Sequence, residues 1–205
     1  MAESPTPPLK LPNRPSSSAR LDEHEWVAGV RAGSSAAFKR LYDRHASSMF
    51  AFAVSIVRSR QRAEDVIQDV FLAIWRNHET WEPASPVRTY LMRATYNRSV
   101  MYQRHLRVEL SAHEQIHRDA GSPAEWIHRA ATDDALAVSE LEAALASAVE
   151  RLPHRAAHAF RLVREQHMLY AEAAEVMGIS THTVEIHMIR ALKSLREQLK
   201  EWRAP

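Results

Sequence analysis

The sequence predicts an all-α protein made of two helical domains joined by a flexible linker. Three observations carry this. Only four glycines, Gly29, Gly33, Gly121 and Gly178, punctuate the 205 residues, while alanine, leucine, glutamate and arginine, all good helix formers, are plentiful. Apolar residues recur in stretch after stretch with the 3.6-residue period of an amphipathic helix. That period is lost between residues 108 and 133, around Gly121, Ser122 and Pro123, which divides the chain in two.

Residues 1–20 hold Pro5, Pro7, Pro8, Pro12 and Pro15 with Ser4, Ser16, Ser17 and Ser18, the composition of a disordered tail. Asp22 is placed to cap a first helix reaching about Val30, and Gly33, Ser34 and Ser35 separate it from a longer one ending near Val57. Phe38, Leu41, Tyr42, His45, Met49, Phe52, Ala53 and Ile56 form the apolar stripe of that longer helix. A third helix, about Gln61 to Asn77, turns Ala63, Val66, Ile67, Val70, Phe71, Ile74 and Trp75 inward. Its opposite face carries Glu64, Asp65, Gln68 and Asp69. Trp81, Pro83, Ser85 and Pro86 mark a loop, and a fourth helix follows to about Arg107. These four helices make a first domain over residues 21–107.

The linker of residues 108–133, with one short helix expected around Trp126, spans at most about 90 Å at ~3.3–3.6 Å per residue. That is enough to place two domains about two turns of DNA apart, each turn being about 34 Å. In the second domain, residues 134–203, a helix runs to Leu152 and Pro153 opens another to about His167. The last stretch, Tyr170 to Leu199, reads as helix, turn, helix. Gly178 supplies a turn residue able to take φ > 0, and Ser180 is placed to cap the final helix. There Val184, Met188, Ala191, Leu192, Leu195 and Leu199 fall on one face. Thr181, His182, Glu185, Ile186, Ile189, Arg190 and Lys193 lie largely away from it, as a face entering a major groove must.

The formal charge of +2 is too small to imply nucleic acid, but its distribution is uneven. Arg88, Arg93, Arg98, Arg104 and Arg107 occur without an intervening Asp or Glu, interleaved with Tyr90, Tyr96 and Tyr102. Arginines with aromatics on a helix suit a phosphate backbone and unstacked bases. The acidic face of the third helix and this basic helix are read as serving different partners, a basic protein and a nucleic acid. The absence of cysteine excludes disulfides, thiolate zinc sites and a cysteine nucleophile. No apolar run approaches the roughly 18 residues of a membrane span, and no signal peptide is evident, so a cytoplasmic protein without membrane insertion is expected.

The residues of both domains resemble the extracytoplasmic-function sigma factors of bacterial RNA polymerase. The similarity is carried by AFKRLYDRH (37–45), AEDVIQDVFLAIW (63–75), TYLMRATYNR (89–98), LPHRAAHAFRL (152–162) and YAEAAEVMGISTHTVEIHMIRALKSLR (170–196). The resemblance implies that the first domain is sigma region 2 and the second region 4. It places Asp65, Gln68, Asp69, Phe71 and Trp75 in the segment that docks on core RNA polymerase. It makes Trp81 to Pro86, with Pro83 and Ser85, the loop that captures a flipped base of the −10 element. Arg88, Arg93, Asn97 and Arg98 would then contact the melted strand. In the final helix it assigns Glu185, Ile186, Ile189 and Arg190 to the bases of a duplex −35 element, and Thr183, His187 and Lys193 to phosphate. Promoter DNA, core polymerase and an anti-sigma factor are the partners so implied, with binding rather than catalysis as the mechanism and no cofactor.

Two other readings compete. One keeps the helix-turn-helix but makes the first domain a ligand or partner sensor of an ordinary transcriptional regulator. The other rests on His113, Glu114 and His117, which spell the H-E-x-x-H of zinc hydrolases, with Glu125 and His128 downstream as third ligands. The second pattern lies in the least regular part of the chain, where no buried helix is expected to orient the ligands. His154 and His158, four apart, form a further histidine pair.

Overall fold

A computed structural model of the protein describes residues 17–113 and 133–200, and every regular element among them is helical. The first half contains α1 (Ser17–Arg31), α2 (Ser35–Val57), α3 (Arg60–Arg76), a 3₁₀ turn at His78–Thr80, and α4 (Val87–His113). The second contains α5 (Asp133–Glu150), α6 (His154–Phe160), a π-helical turn at Arg161–Glu165, α7 (Tyr170–Met177) and α8 (Thr181–Gln198).

Serines set several of the helix starts. Ser34 Oγ accepts from the Ala37 N–H at 3.3 Å, Ser59 Oγ from Arg62 N–H at 3.4 Å, and Ser180 Oγ from Thr183 N–H at 3.1 Å. Each satisfies one of the amides a helix N-terminus leaves unpaired. α2 lies at the centre of the first half, against α1, α3 and α4. Leu41, Met49, Phe52 and Ile56 of α2 share one buried cluster with Val66 and Val70 of α3 and Leu91 and Met92 of α4. Burial of each such side chain stabilises by about 1.5–3 kcal/mol. Gly29 permits α1 to lie close on α2, since a Cβ there would stand 2.7 Å from Ala37 Cβ.

Three boundaries differ from those expected. α1 begins at Ser17 rather than at an Asp22 cap, because no proline follows Pro15 until Pro83 and nothing stops the helix extending toward the tail. α4 continues past Arg107 to His113, since residues 108–113 contain neither glycine nor proline. The helix opened by Pro153 does not run evenly to His167. It widens at Arg161, where the Gln166 N–H donates to the Arg161 carbonyl at 2.8 Å, an i→i+5 bond. The short helix expected around Trp126 lies outside the described residues.

The two halves touch. α4 packs against α7, and the Tyr96 ring of α4 meets His158 of α6 edge-on, with centroids 5.6 Å apart. Buried Arg161 donates from Nη1 to the Ser55 carbonyl of α2 at 3.0 Å, and Arg58 pairs with Glu150 at 3.0 Å. Arg88 donates to the carbonyl of Gln166. Burial is the main reason the pKa of Arg161 is lowered, and it raises that of Glu165, 3.8 Å away, against the pull of Arg161.

Candidate nucleic-acid interface

α8 has the form of a reading helix. Gly178 closes α7 in the left-handed conformation at φ 63° and leads into the Ser180 cap. No neighbouring atom stands where a Cβ would go, so backbone conformation alone calls for glycine. Val184, Met188, Ala191 and Leu195 are buried, which fixes the helix rotation. The outward face follows from that rotation. Glu185, Ile189, Arg190 and Lys193 are exposed, and Thr183, Ile186 and His187 are half-buried beside them. Ile189 is 67% exposed, the most of any large apolar side chain among the described residues, which folding of this half does not explain. His182 Nδ1 stands 3.4 Å from Glu185, and His187 is held below its ordinary pKa by partial burial, then by Arg190 and Arg155.

α4 offers a second face. Arg93 and Asn97, one turn apart, are exposed on it together. Arg98 is paired with Asp69 of α3 at 3.3 Å. The acidic and basic helices are therefore linked by this ion pair. Ahead of α4, Trp81 is only 5% exposed, its ring edge against Tyr90 at 6.1 Å. It is part of the core beneath the loop, whereas Pro83 and Ser85 are half-buried and border a cavity of about 580 Å³. Leu169 and Glu172 of the second half close the other side of that cavity.

α3 provides the third surface. Asp65 and Gln68 are exposed and Asp69 is half-buried. Phe71 is 3% exposed and packs on Phe38 and Tyr42, so it supports this face from below. Trp75 is half-buried between Phe38 at 4.9 Å and His78 at 5.3 Å. Sequence periodicity placed Tyr42 in the core, but it is 43% exposed, as is Leu72. Tyr42 also borders a shallow cavity of about 400 Å³ with Phe50, Arg60, Glu64 and Gln68. A tyrosine at the margin of an apolar stripe was the one signal available for it.

The chain matches the family Sigma-70 region 2 over residues 41–108 and Sigma-70, region 4 over residues 142–195. It is 29% identical to RNA polymerase sigma factor CarQ of Myxococcus xanthus over 174 residues, covering 83% of this chain and 94% of that one. It is 26% identical to the ECF RNA polymerase sigma factor SigL of Mycobacterium tuberculosis over 181 residues, covering 85% and 96%. The chain belongs to the extracytoplasmic-function sigma factors. The fold is that of solved relatives as well. CnrH in complex with the cytosolic domain of CnrY superposes with TM-score 0.62 at 24% identity, covering 88% of this chain and 98% of that one. The sigma factor RpoE of Bartonella quintana, in complex with the anti-sigma factor NepR, gives 0.64 at 22% identity, covering 81% and 98%.

In this sigma factor the region 2 match runs from within α2 to within α4, and the region 4 match from within α5 to within α8. Of the zinc-hydrolase pattern, His113 ends α4 and the other residues lie outside the described ones. Among the described residues no helix is long and apolar enough to cross a membrane, and no three His, Asp or Glu are grouped to hold a metal ion.

Two buried histidines give the sigma factor an acid sensitivity. Burial, then Arg161, His154, Arg155 and Arg58, pushes His158 down to about 4, and its ring faces Tyr96 across the two halves. Burial, then Arg44 and Arg88, pushes His45 down to about 4, where its ring meets Trp26 edge-on. An unfolded histidine titrates near 6.5, so between about pH 6.5 and 4 the unfolded chain takes up protons that the folded one refuses. Stability is therefore complete above pH 6.5 and falls as pH drops through about 4, by up to about 3 kcal/mol per histidine. Thermal melts should show the melting temperature dropping from pH 7 to 4.5. His158→Phe, which keeps a ring against Tyr96, should flatten part of that drop, and an unchanged slope would contradict the assignment.

Proposed function

We propose that this sigma factor directs transcription initiation through three surfaces. The α3 face, with Asp65, Gln68, Asp69 and Trp75 over Phe71, docks on core RNA polymerase. The outer face of α8 reads the duplex −35 element. Arg190 has the fork to donate twice to a guanine, Glu185 can accept from cytosine N4, and Ile186 and Ile189 meet apolar base edges. Thr183, His187 and Lys193 hold phosphate, which positions the helix without carrying sequence.

Strand opening belongs to region 2. Pro83 and Ser85, over Trp81, form the wall that receives an unpaired base, and Arg88, Arg93, Asn97 and Arg98 follow the melted strand. Capture of unstacked bases drives melting, with stacking worth roughly 1–3 kcal/mol per base. The observation that carries this reading is the pairing of two outward helix faces. Arg93 with Asn97 and Ile189 with Arg190 are exposed on separate halves, on helices whose opposite faces enter the buried core.

The anti-sigma factor held by a solved relative of like fold supports a protein partner of that class for this chain too, and a role beside core polymerase goes with a cytoplasmic location. Co-purification with core polymerase tests the reading against that of an ordinary helix-turn-helix regulator. The sigma factor should form a stoichiometric complex with core enzyme in the absence of DNA. A chain that elutes apart from core enzyme yet binds duplex DNA would favour the regulator.

A further inference from the structure

We propose that His182 is a specificity-determining residue of the −35 reader, which together with Glu185 presents hydrogen-bond acceptors to the amino group of a cytosine or adenine in the major groove. This rests on the assignment of α8 to the duplex −35 element. Burial of Val184, Met188, Ala191 and Leu195 fixes which way that helix is turned. At about 100° per residue, His182, Ile186 and Lys193 fall within about 30° of the direction opposite the buried stripe, whereas Glu185 stands about 90° from it, on the flank. His182 therefore occupies the middle of the outward face. It is also in the first turn of α8, just after the Ser180 cap, the end of a reading helix that meets base edges.

Folding makes little use of this side chain. It is 79% exposed, and Glu185, whose carboxylate stands 3.4 Å from its Nδ1, is 49% exposed. A pair so open to water contributes little to stability. What the contact does supply is direction. A carboxylate only accepts, so Nδ1–H of His182 is the donor to Glu185, and Nε2 of the neutral ring is left as an acceptor. The N–H also offsets part of the Glu185 charge, which by itself opposes approach to a polyanion. His182 thus acts twice, as a reader through Nε2 and as a positioning residue for Glu185. In the major groove cytosine N4 and adenine N6 are the donors, whereas guanine and thymine present only acceptors. Two acceptors three residues apart on one helix therefore favour cytosine or adenine on the strand they face.

Holoenzyme assembled from core polymerase and the full-length chain, selecting promoter fragments from a library randomised through the −35 element, tests this. The wild type should enrich cytosine or adenine at one position, and His182→Ala should lose that preference by about fivefold, the worth of one hydrogen bond. His182→Ala should keep the preferences that Arg190→Ala removes. His182→Gln, whose amide oxygen also accepts, should retain part of what alanine loses. Fragments carrying an analogue without the amino group, purine for adenine or a pyrimidinone for cytosine, show which base is met. The matching analogue should weaken wild-type binding by about fivefold and leave His182→Ala unaffected. An unchanged selection by His182→Ala would overturn the proposal, as would enrichment of guanine or thymine at the position it alters. A loss spread evenly over all sequences would do the same, since it would make His182 a phosphate contact. If Arg190→Ala alters the selection and His182→Ala does not, only the role of His182 falls. If wild-type holoenzyme shows no −35 preference at all, the assignment of α8 falls and takes that role with it.

Discussion

Arg190→Ala should reduce promoter-dependent transcription by roughly 5- to 150-fold while leaving the affinity for core polymerase unchanged. The range is the worth of one bidentate contact to guanine, about 1–3 kcal/mol, at tenfold per 1.4 kcal/mol. Arg190 is exposed beside Ile189 on a helix whose rotation is fixed by Val184, Met188, Ala191 and Leu195, so its removal takes nothing from the core. The loss should be confined to templates that depend on the −35 element. Lys193→Ala, a phosphate contact in the same reading, should weaken all duplexes alike and reduce the salt dependence of binding. A uniform loss from Arg190→Ala across unrelated sequences would show that it holds phosphate instead.

Arg93→Ala should separate binding from opening. Arg93 and Asn97 lie one turn apart on the exposed face of α4, and both would meet the strand only after it has left the duplex. Closed complexes should therefore form with nearly normal affinity, while open complexes fall by about tenfold, the equivalent of one contact of about 1.4 kcal/mol. Permanganate reactivity of unpaired thymines measures the second step and gel retardation the first. Normal permanganate reactivity in the variant would remove Arg93 from the melting step. Arg98→Ala is a less clean probe, because it also frees Asp69 on the face proposed to dock on polymerase.

Much of the fold was legible because it rests on local rules. The α8 stripe, the Gly178 turn and the Ser180 cap are each settled within one or two helical turns, and the structure has all three. Boundaries were harder where no breaker residue stands, which is why α1 and α4 both run longer than their patterns required. The π turn at Arg161 was not legible at all. It involves Ser55, 106 positions away, and no periodicity within RLVRE reports that contact.

The site residues divide along the same line. Outward positions of a regular helix, such as Glu185, Ile189, Arg93 and Asn97, follow from period alone. Aromatics do not. Phe71 is buried as its period places it, but Tyr42 on a like stripe is exposed and Trp81, read as part of a loop, belongs to the core, because a large ring at the edge of an element turns either way according to its neighbours. Nor does spacing along the chain show that Arg98 would meet Asp69, or that Arg88 would meet Gln166.

In vitro transcription with purified core polymerase on a library of genomic fragments tests the central claim most directly. Core enzyme with this chain should yield transcripts from discrete start sites, each preceded by a shared pair of −35 and −10 sequences, and should yield none of them without it. Identical transcripts with and without the chain would contradict its role as a sigma factor.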